Sequence, residues 1–313
     1  MSDPIPPGAS YYRASNAFIV ATRRVMGLED VVHLQSEEDM LKGNSVSEWL
    51  SRRGHPFIHK LQLRKERKTP FFHEYVVFSL YGDNNGYFRI DRRQLPNENI
   101  PLDCMCRDGV VAYDTIEEIS GFDDAQYGIS DCLVEIEFEY FNTSLKSLLQ
   151  VCWAIRGHPQ AGVYTLQRYN CYFFAQTITS CMARTKFGRF SESSLPEESA
   201  LIYCPLEVEF GPDKIIRLRI KELRFEPLDP NPGWRAYLPS RQALEVSTHE
   251  EMKEYLHQLI FAHGERVEQF KMLLACTAKE VTDSIILAME EVWNKVSTGS
   301  YNQPEKSEVT LIT

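Results

Sequence analysis

Long apolar runs are missing from this sequence, and their absence argues against a membrane-spanning helix. No stretch approaches the roughly 20 apolar residues that such a helix needs. The apolar run at residues 17–20 is also too short for the core of a secretory signal. We therefore expect no membrane span and a cytoplasmic protein. Its eight cysteines are then expected to be mostly reduced thiols.

Positive charge is also scarce. The chain of 313 residues has 34 Lys and Arg against 44 Asp and Glu, which gives a formal net charge of -10. Binding to nucleic acids or anionic membranes depends on Lys and Arg, so this balance argues against both partners. With 43% hydrophobic and 25% charged residues, the composition is that of an ordinary globular protein.

The usual metal-binding spacings of cysteine are lacking as well. Cys104 and Cys106 are separated by one residue, which is tighter than a C-x-x-C pair, and no histidine follows at ligand distance. We therefore expect no metal site and no organic cofactor. Four other cysteines lie in apolar or periodic surroundings that favour a place in the core: Cys132, Cys152, Cys181 and Cys204.

The clearest local structure is a β-hairpin. Residues 57–64 alternate apolar and polar side chains, and residues 71–80 are rich in aromatic and β-branched residues, so both segments are predicted strands. Turn-forming residues follow at 81–86, and residues 87–92 form the next predicted strand. The basic run 64–68 falls between two of these strands and is predicted to be a solvated loop.

The rest of the chain predicts further strands and then helices. Residues 94–130 are interpreted mostly as loop with a weak strand at 109–113, followed by a strand at 132–140 and a helix at 142–155. A second hairpin is predicted from 206–210 and 214–223, and helices from 249–263 and 265–296. The predicted division is an N-terminal arm with accessory helices (1–56), a core (57–228), a C-terminal helical region (229–298) and a disordered tail (299–313).

A candidate nucleophile lies at the predicted start of an amphipathic helix ending near residue 183. Asn170 is a strong N-cap residue, which places Cys171 in the first turn. The free N–H groups and the helix dipole favour an anion there, so the position suits a thiolate. The alternative interpretation is that Cys171 is a packed core cysteine, since free cysteine is among the most buried residue types.

A candidate base comes from the hairpin. His73 lies at the head of the central strand, and an imidazole can pair with a thiol near neutral pH. The next strand offers Asp91, and less convincingly Arg89, to orient the imidazole, because its second N–H needs an acceptor. Glu74 is a weaker choice, since adjacent strand residues point to opposite faces. The alternatives are a core or surface histidine and a solvated strand end at 91–93.

These pieces resemble a known group of enzymes. A histidine-led strand, a glycine turn, a second strand with a polar residue and a later N-C-x-x-F helix start are the order found in circularly permuted papain-like hydrolases. That group includes permuted NlpC-type peptidases, lecithin:retinol acyltransferase-like enzymes and PPPDE-type isopeptidases. The resemblance covers residues 57–185, and Arg89 and Asp91 stand where acyltransferase members carry a second histidine. The chain is also similar to uncharacterised proteins of mushroom-forming fungi, a likeness that implies no function.

The resemblance implies an α+β fold with an antiparallel sheet packed on the Cys171 helix, and N- and C-terminal helical additions around it. It implies thiol-dependent acyl chemistry on a peptide, amide or acyl substrate, with Cys171, His73 and Asp91 as catalytic residues. Arg89 and Asn170 would bind or orient the substrate. The alternative is a catalytically degenerate interaction protein, whose C-terminal helices bind a protein partner or a second copy of the chain.

Overall fold

The computed structural model describes residues 29, 31–34, 45–54, 56–67, 72–82, 86–94, 103–105, 108–122, 130–139, 143–188, 218–219, 245–246 and 249–298. A seven-stranded antiparallel sheet dominates this part of the chain, and helices pack against it, so the predicted α+β class is confirmed. The strands are β1 (Val32–His33), β2 (Ile58–Glu66), β3 (Glu74–Leu80), β4 (Tyr87–Gln94), β5 (Val110–Ile119), β6 (Ser130–Glu137) and β7 (Val163–Tyr164). Their order is β1-β5-β4-β3-β2-β6, with β7 paired to β5.

The predicted hairpin is confirmed, because β3 pairs with β4 in antiparallel register, with Phe78 opposite Phe88. The strand predicted at 109–113 is present but longer than expected, since β5 is a ten-residue strand along the other side of β4. Acidic residues in this segment resemble those of a solvated loop. In the fold they meet cations across the sheet: Asp114 accepts from Arg92 at 2.7 and 2.8 Å.

The two faces of the sheet differ in chemistry. Alternate residues of β2, β3 and β4 build an apolar face, which belongs to the main hydrophobic core: Leu61, Leu63, Val76, Phe78, Phe88 and Ile90. The residues between them place polar and charged side chains on the opposite face, and these are also buried: Gln62, Arg64, Glu66, Arg89 and Asp91. Burial of so many charges requires that they pair with one another.

Residues 64–66 of the basic run therefore belong to a strand, which differs from the predicted solvated loop. Strand β2 continues through Glu66, and both Arg64 and Glu66 are buried. Glu66 accepts a hydrogen bond from Arg89 at 3.1 Å, and Arg64 donates to Gln62 at 2.5 Å. These partners come from the sheet itself, which is why the local composition gave a wrong interpretation.

The helices are α1 (Ser45–Arg52), α2 (Leu145–Arg156), α3 (Cys171–Gly188), α4 (His249–Glu268), α5 (Lys271–Leu274) and α6 (Ala278–Ser297), with a single 3-10 turn at Asp103–Met105 among the described residues. Helix α2 matches its prediction, and Ser144 caps it by accepting from the N–H of Ser147. Helix α3 is not amphipathic as predicted: every side chain from Cys171 to Ala183 is buried, because sheet and helices enclose it from both sides.

The C-terminal helices cover the core as expected, although their boundaries differ from the prediction. Helix α4 passes straight through Gly264 and packs against α3 and α6. A Cβ on Gly264 would lie 2.7 Å from Oγ1 of Thr282 and 2.9 Å from the carbonyl oxygen of Ala278, so glycine lets the two helices approach closely. The predicted long helix is interrupted before Thr277, which starts α6 with a capping box to Glu280.

Several predicted features lie outside the described residues, including the N-terminal arm, the tail at 299–313 and most of the second hairpin. Of that hairpin, β8 (Leu218–Arg219) is described, and it pairs with β9 (Glu245–Val246). Within the described ranges, no helix combines the length and apolar character required to cross a bilayer.

Candidate catalytic site

Asn170 begins helix α3 in the way its side chain predicts. Its Oδ1 accepts from the backbone N–H groups of Tyr172 and Phe173 at 3.0 and 3.3 Å, and its Nδ2 donates to the carbonyl of Leu166 at 2.8 Å. Cys171 is therefore the first residue of the helix. The N–H of a first helical residue has no partner inside the helix, so it is available to an external acceptor.

His73 lies directly before β3, where a backbone hydrogen bond ties it to the neighbouring strand. Its carbonyl accepts from the N–H of Glu66 at 2.8 Å, which joins it to the end of β2. The preceding Phe72 has φ of 44°, a left-handed conformation that is rare for a bulky residue. Unusual backbone conformations of this kind concentrate at functional sites.

The structure brings three of the predicted residues into one chain of contacts. Nε2–H of His73 donates to Oδ1 of Asp91, and the imidazole is also hydrogen-bonded to the thiol of Cys171. Since Nε2 faces the carboxylate, Nδ1 is the nitrogen left for the sulfur. The contact joins residues separated by 98 positions in the chain. It lies where strand β3 and helix α3 both begin.

Two arginines hold the other oxygen of the same carboxylate. Arg89 donates to Oδ2 of Asp91 at 2.8 and 3.2 Å, and Arg93 donates to it at 2.7 Å. Residues 89, 91 and 93 share one face of β4 because successive strand residues alternate. Asp91 is fully buried and Arg93 is only 6% exposed, so the alternative of a solvated strand end is wrong. Arg89 contacts Asp91 and Glu66, a place that suits orientation of the carboxylate.

Charge interactions decide the protonation states of His73 and Asp91. Burial opposes a charged imidazole, yet the Asp91 carboxylate and the neighbouring Cys171 sulfur hold the pKa of His73 well above its ordinary value. Burial likewise opposes an ionised Asp91, but Arg93, His73 and Arg89 hold its pKa well below the ordinary value. The arrangement therefore favours an imidazolium beside an ionised carboxylate.

Glu74 takes a different role from the one considered for it. It points towards helix α3, where it accepts from Nζ of Lys65 at 2.8 Å and from Nε2 of Gln176 at 2.7 Å. The amide nitrogen of Gln176 is thus engaged by a carboxylate. Glu74 links the strand that follows His73 to the helix that begins with Cys171.

Sequence reasoning missed four residues near the thiol. Lys65, Tyr164, His263 and Arg266 act electrostatically on Cys171 or contact its neighbour Tyr172. Burial, with the nearby Cys171, raises the pKa of Tyr164 well above its ordinary value. Lys65 lies between Arg64 and Glu66 in a strand, so its side chain points to the opposite face from theirs. Strand alternation is the sequence signal that could have identified it. His263 and Arg266 come from a distant helix and have no local signal.

The sulfur is enclosed in this structure. Cys171 and Asn170 have no exposed surface, and His73 is 4% exposed. Their surroundings are polar, since His73, Tyr164, Tyr172 and Lys65 all act on or adjoin the thiol. At three other buried cysteines, burial is the main influence: it raises the pKa of Cys181 to about 12 and also raises those of Cys152 and Cys276.

Fold and site together define an α+β protein with a buried Cys–His–Asp chain at a helix N-terminus. No family model, no curated protein and no solved structure matches this chain. Among the residues that the structure describes, no group of three or more His, Cys, Asp or Glu side chains is placed to hold a metal ion. The geometry of the site is therefore the basis for assigning its chemistry.

Proposed function

We propose that this protein carries out thiol-dependent acyl chemistry, as an amidase or peptidase or as an acyltransferase. The observation that carries the proposal is the contact chain from Asp91 through His73 to Cys171, with the cysteine as the first residue of α3. A nucleophile within reach of a base, and a third group that orients the base, are what covalent catalysis requires. The site supplies each of them from a different element.

In the proposed reaction, His73 already holds the proton taken from Cys171, and the sulfur attacks the carbonyl carbon of the substrate. The backbone N–H of Cys171 donates to the oxyanion that forms. The imidazolium then protonates the leaving amine or alcohol, and a thioester remains on Cys171. Water, an amine or an alcohol attacks the thioester with His73 as base, and the returning proton restores the thiol. Asp91 orients the imidazole throughout.

The permuted papain-like fold belongs to the same proposal. A sheet whose hairpin carries the histidine and the carboxylate, followed by a helix that begins with the cysteine, supports it. The order of these elements is the one on which the sequence resemblance rests. The same proposal assigns catalytic roles to Cys171, His73 and Asp91, and orienting roles to Arg89 and Asn170.

The enclosure of Cys171 favours a second candidate, a catalytically silent interaction protein that retains the fold. A substrate reaches the sulfur only if the groups around it move, because the side chain has no exposed surface. The C-terminal helices meanwhile present large apolar side chains to solvent, with Phe261 53% and Leu287 60% exposed. Such side chains suit contact with a protein partner or a second copy of the chain.

Thiol alkylation separates the two candidates. The full chain is treated with iodoacetamide at pH 6, and peptide mass spectrometry follows the labelling of each cysteine. The enzyme proposal predicts that Cys171 reacts first, because thiolate is the reactive form and Cys152, Cys181 and Cys276 have raised pKa values. His73→Ala should abolish this selectivity, whereas His59→Ala, at a half-exposed histidine outside the chain of contacts, should preserve it.

Uniform slow labelling of all the cysteines would reject the enzyme proposal and favour the interaction protein. If Cys171 is selectively labelled, acyl electrophiles with peptide, lipid-chain and small amide leaving groups then identify the substrate class. Retention of a thioester on Cys171 in the presence of amines, followed by transfer, would indicate an acyltransferase. Rapid release to water would indicate a hydrolase.

A further inference from the structure

Two cations lie against the aromatic ring that follows the candidate nucleophile. Nζ of Lys65 lies 4.9 Å from the ring centroid of Tyr172, and the guanidinium carbon of Arg266 lies 4.9 Å from it. Arg266 also donates a hydrogen bond to the Tyr172 hydroxyl. Both cations keep part of their surface in solvent, unlike Cys171. They therefore occupy the outer side of the site.

The positive charge here exceeds the negative charge that faces it. Lys65 pairs with the buried Glu74, whose second oxygen is taken by Gln176. Within the described part of the chain, no carboxylate lies within ion-pair distance of Arg266. Burial lowers the pKa of Lys65 in spite of Glu74, and the nearby Arg266 lowers it further. An added anion would relieve this repulsion.

A buried hydrogen-bond acceptor in the same place also lacks a partner. Nε2–H of His263 donates to the carbonyl of Gln167 at 3.0 Å, and burial together with Arg266 lowers the pKa of His263 to about 3. The imidazole is thus neutral, with a lone pair on Nδ1. Nδ1 has no hydrogen-bond partner among the described residues, although His263 is only 1% exposed. Unsatisfied buried polar atoms are uncommon and point to a missing ligand or water.

The two features belong to one surface of α4. His263 and Arg266 are three residues apart, so they are neighbours on one side of the helix, and both contact the Tyr172 ring. Tyr172 is the residue directly after Cys171. Lys65, which lies against the same ring, acts electrostatically on both Arg266 and Cys171, so a ligand bound at these groups lies near the sulfur.

We propose that the substrate is an amide or peptide with a carboxylate close to the bond that is cleaved or transferred. Arg266, supported by Lys65, binds the carboxylate, and Nδ1 of His263 accepts an N–H of the substrate amide. This inference rests on the proposed function. A carboxylate fits better than a phosphate dianion because one guanidinium is unpaired, and its planar fork matches a single carboxylate.

A pair of alkylating agents of nearly equal size tests the assignment. Iodoacetate carries a carboxylate and iodoacetamide a neutral amide, so the ratio of their rates at Cys171 reports on an anion-binding group beside the sulfur. We expect Arg266→Gln to lower the iodoacetate-to-iodoacetamide ratio about tenfold, the scale of one charge-assisted hydrogen bond. Arg266→Lys, which keeps the charge but loses the fork, should give an intermediate ratio.

Lys253→Gln is the matched control. It removes the same charge from the same helix, 13 residues away, which corresponds to about 20 Å along the axis. The ratio at Cys171 should stay at the wild-type value in this variant. Far-UV circular dichroism of each variant checks that the fold is retained.

The outcomes separate this inference from the proposed function. An unchanged ratio in Arg266→Gln, with Cys171 still reactive in a His73-dependent way, overturns the carboxylate site alone. If Cys171 reacts with neither reagent, the proposed function fails, and binding then decides the inference. In a Cys171→Ala chain, N-acetylglutamate should raise the Tm, and the added Arg266→Gln substitution should remove the increase. An equal increase with and without Arg266 overturns the inference.

Discussion

At the scale of single residues, the site is organised around one carboxylate. Asp91 has no exposed surface and divides its two oxygens between an imidazole and two guanidinium groups. A buried carboxylate is costly unless it is paired and hydrogen-bonded, and here every contact favours its ionised form. The same contacts favour the protonated form of His73. The charge state of the base is therefore a property of the whole cluster.

This cluster predicts how the stability of the protein depends on pH. The folded-state pKa of His73 is raised, so its contribution to stability is complete below the unfolded value of about 6.5 and is lost as pH rises through the folded value. The free energy of unfolding of wild type relative to His73→Gln should thus decrease between pH 6.5 and pH 9. The slope approaches about 1.4 kcal/mol per pH unit while only the folded state holds the proton.

Urea unfolding of both chains at several pH values provides the measurement. His59→Gln is the control for loss of an imidazole outside this cluster, at a side chain that is 39% exposed. A stability difference for His73→Gln that grows as pH rises would contradict the charged imidazole. Asp91 adds an opposite effect at low pH: its pKa is lowered, so its stabilisation is lost on acidification below about pH 4.

At the scale of secondary structure, the start of α3 places the sulfur. Asn170 binds two N–H groups of the first turn and a carbonyl of the preceding loop, so its amide fixes both the helix end and the approach to it. Helix α2 begins in a similar way with Ser144, whose side chain accepts from one N–H group. Asn170 is followed by Cys171, whereas Ser144 is followed by a residue without a reactive group. Ser144 therefore serves as a control for the loss of a helix cap alone.

We expect Asn170→Ala to destabilise the protein by about 1–2 kcal/mol through loss of the cap. The buried carbonyl of Leu166 also loses its donor, which places the effect at the upper end of this range. Ser144→Ala should cost about 1 kcal/mol. Urea unfolding measures both, and iodoacetamide labelling at pH 6 then separates them.

Labelling of Cys171 should slow in Asn170→Ala and stay at the wild-type rate in Ser144→Ala. The physical reason is that Asn170 sets the position of the first-turn N–H groups around the sulfur, whereas Ser144 caps a different helix. Equal labelling rates in the two variants would show that the cap contributes to stability without shaping the site.

At the scale of the whole molecule, the C-terminal helices complete the site from outside the sheet. Helix α4 packs on α3 and places His263 and Arg266 in contact with the Tyr172 ring. Helix α6 in turn packs on α4. The close approach of α4 and α6 depends on Gly264, where a Cβ would collide with Ala278 and Thr282. The packing of these two helices therefore determines where the outer cations lie.

Gly264→Ala is expected to destabilise the protein by about 1–3 kcal/mol, because the added methyl group forces the helices apart. Gly121→Ala is the control, since a methyl group added at Gly121 would have nothing within 4 Å of it. Urea unfolding compares the two, and the iodoacetate-to-iodoacetamide ratio at Cys171 should fall in Gly264→Ala alone. Equal stability of the two variants would mean that α4 and α6 move apart without cost.

Much of the central architecture follows from local sequence patterns. Alternating side chains indicate β2 and β6, aromatic and β-branched residues indicate β3, and the turn residues at 81–86 indicate the hairpin to β4. Asn170 indicates the start of α3. These features depend on neighbours within a few residues, and a short window of sequence contains all of them. The same holds for His73 and Cys171 as candidates, because their positions at a strand head and a helix start are local properties.

Other features were decided by contacts between distant parts of the chain. Strand β5 and the buried run 64–66 resemble solvated segments until cross-strand ion pairs form, as between Asp114 and Arg92. Helix α3 is buried on all sides because the sheet and α4 enclose it, which its own sequence does not encode. The meeting of Cys171, His73 and Asp91, and the arrival of Arg266, likewise depend on packing. Burial and charge pairing are properties of the assembled fold, so the sequence alone named candidate residues while tertiary structure determined their partners.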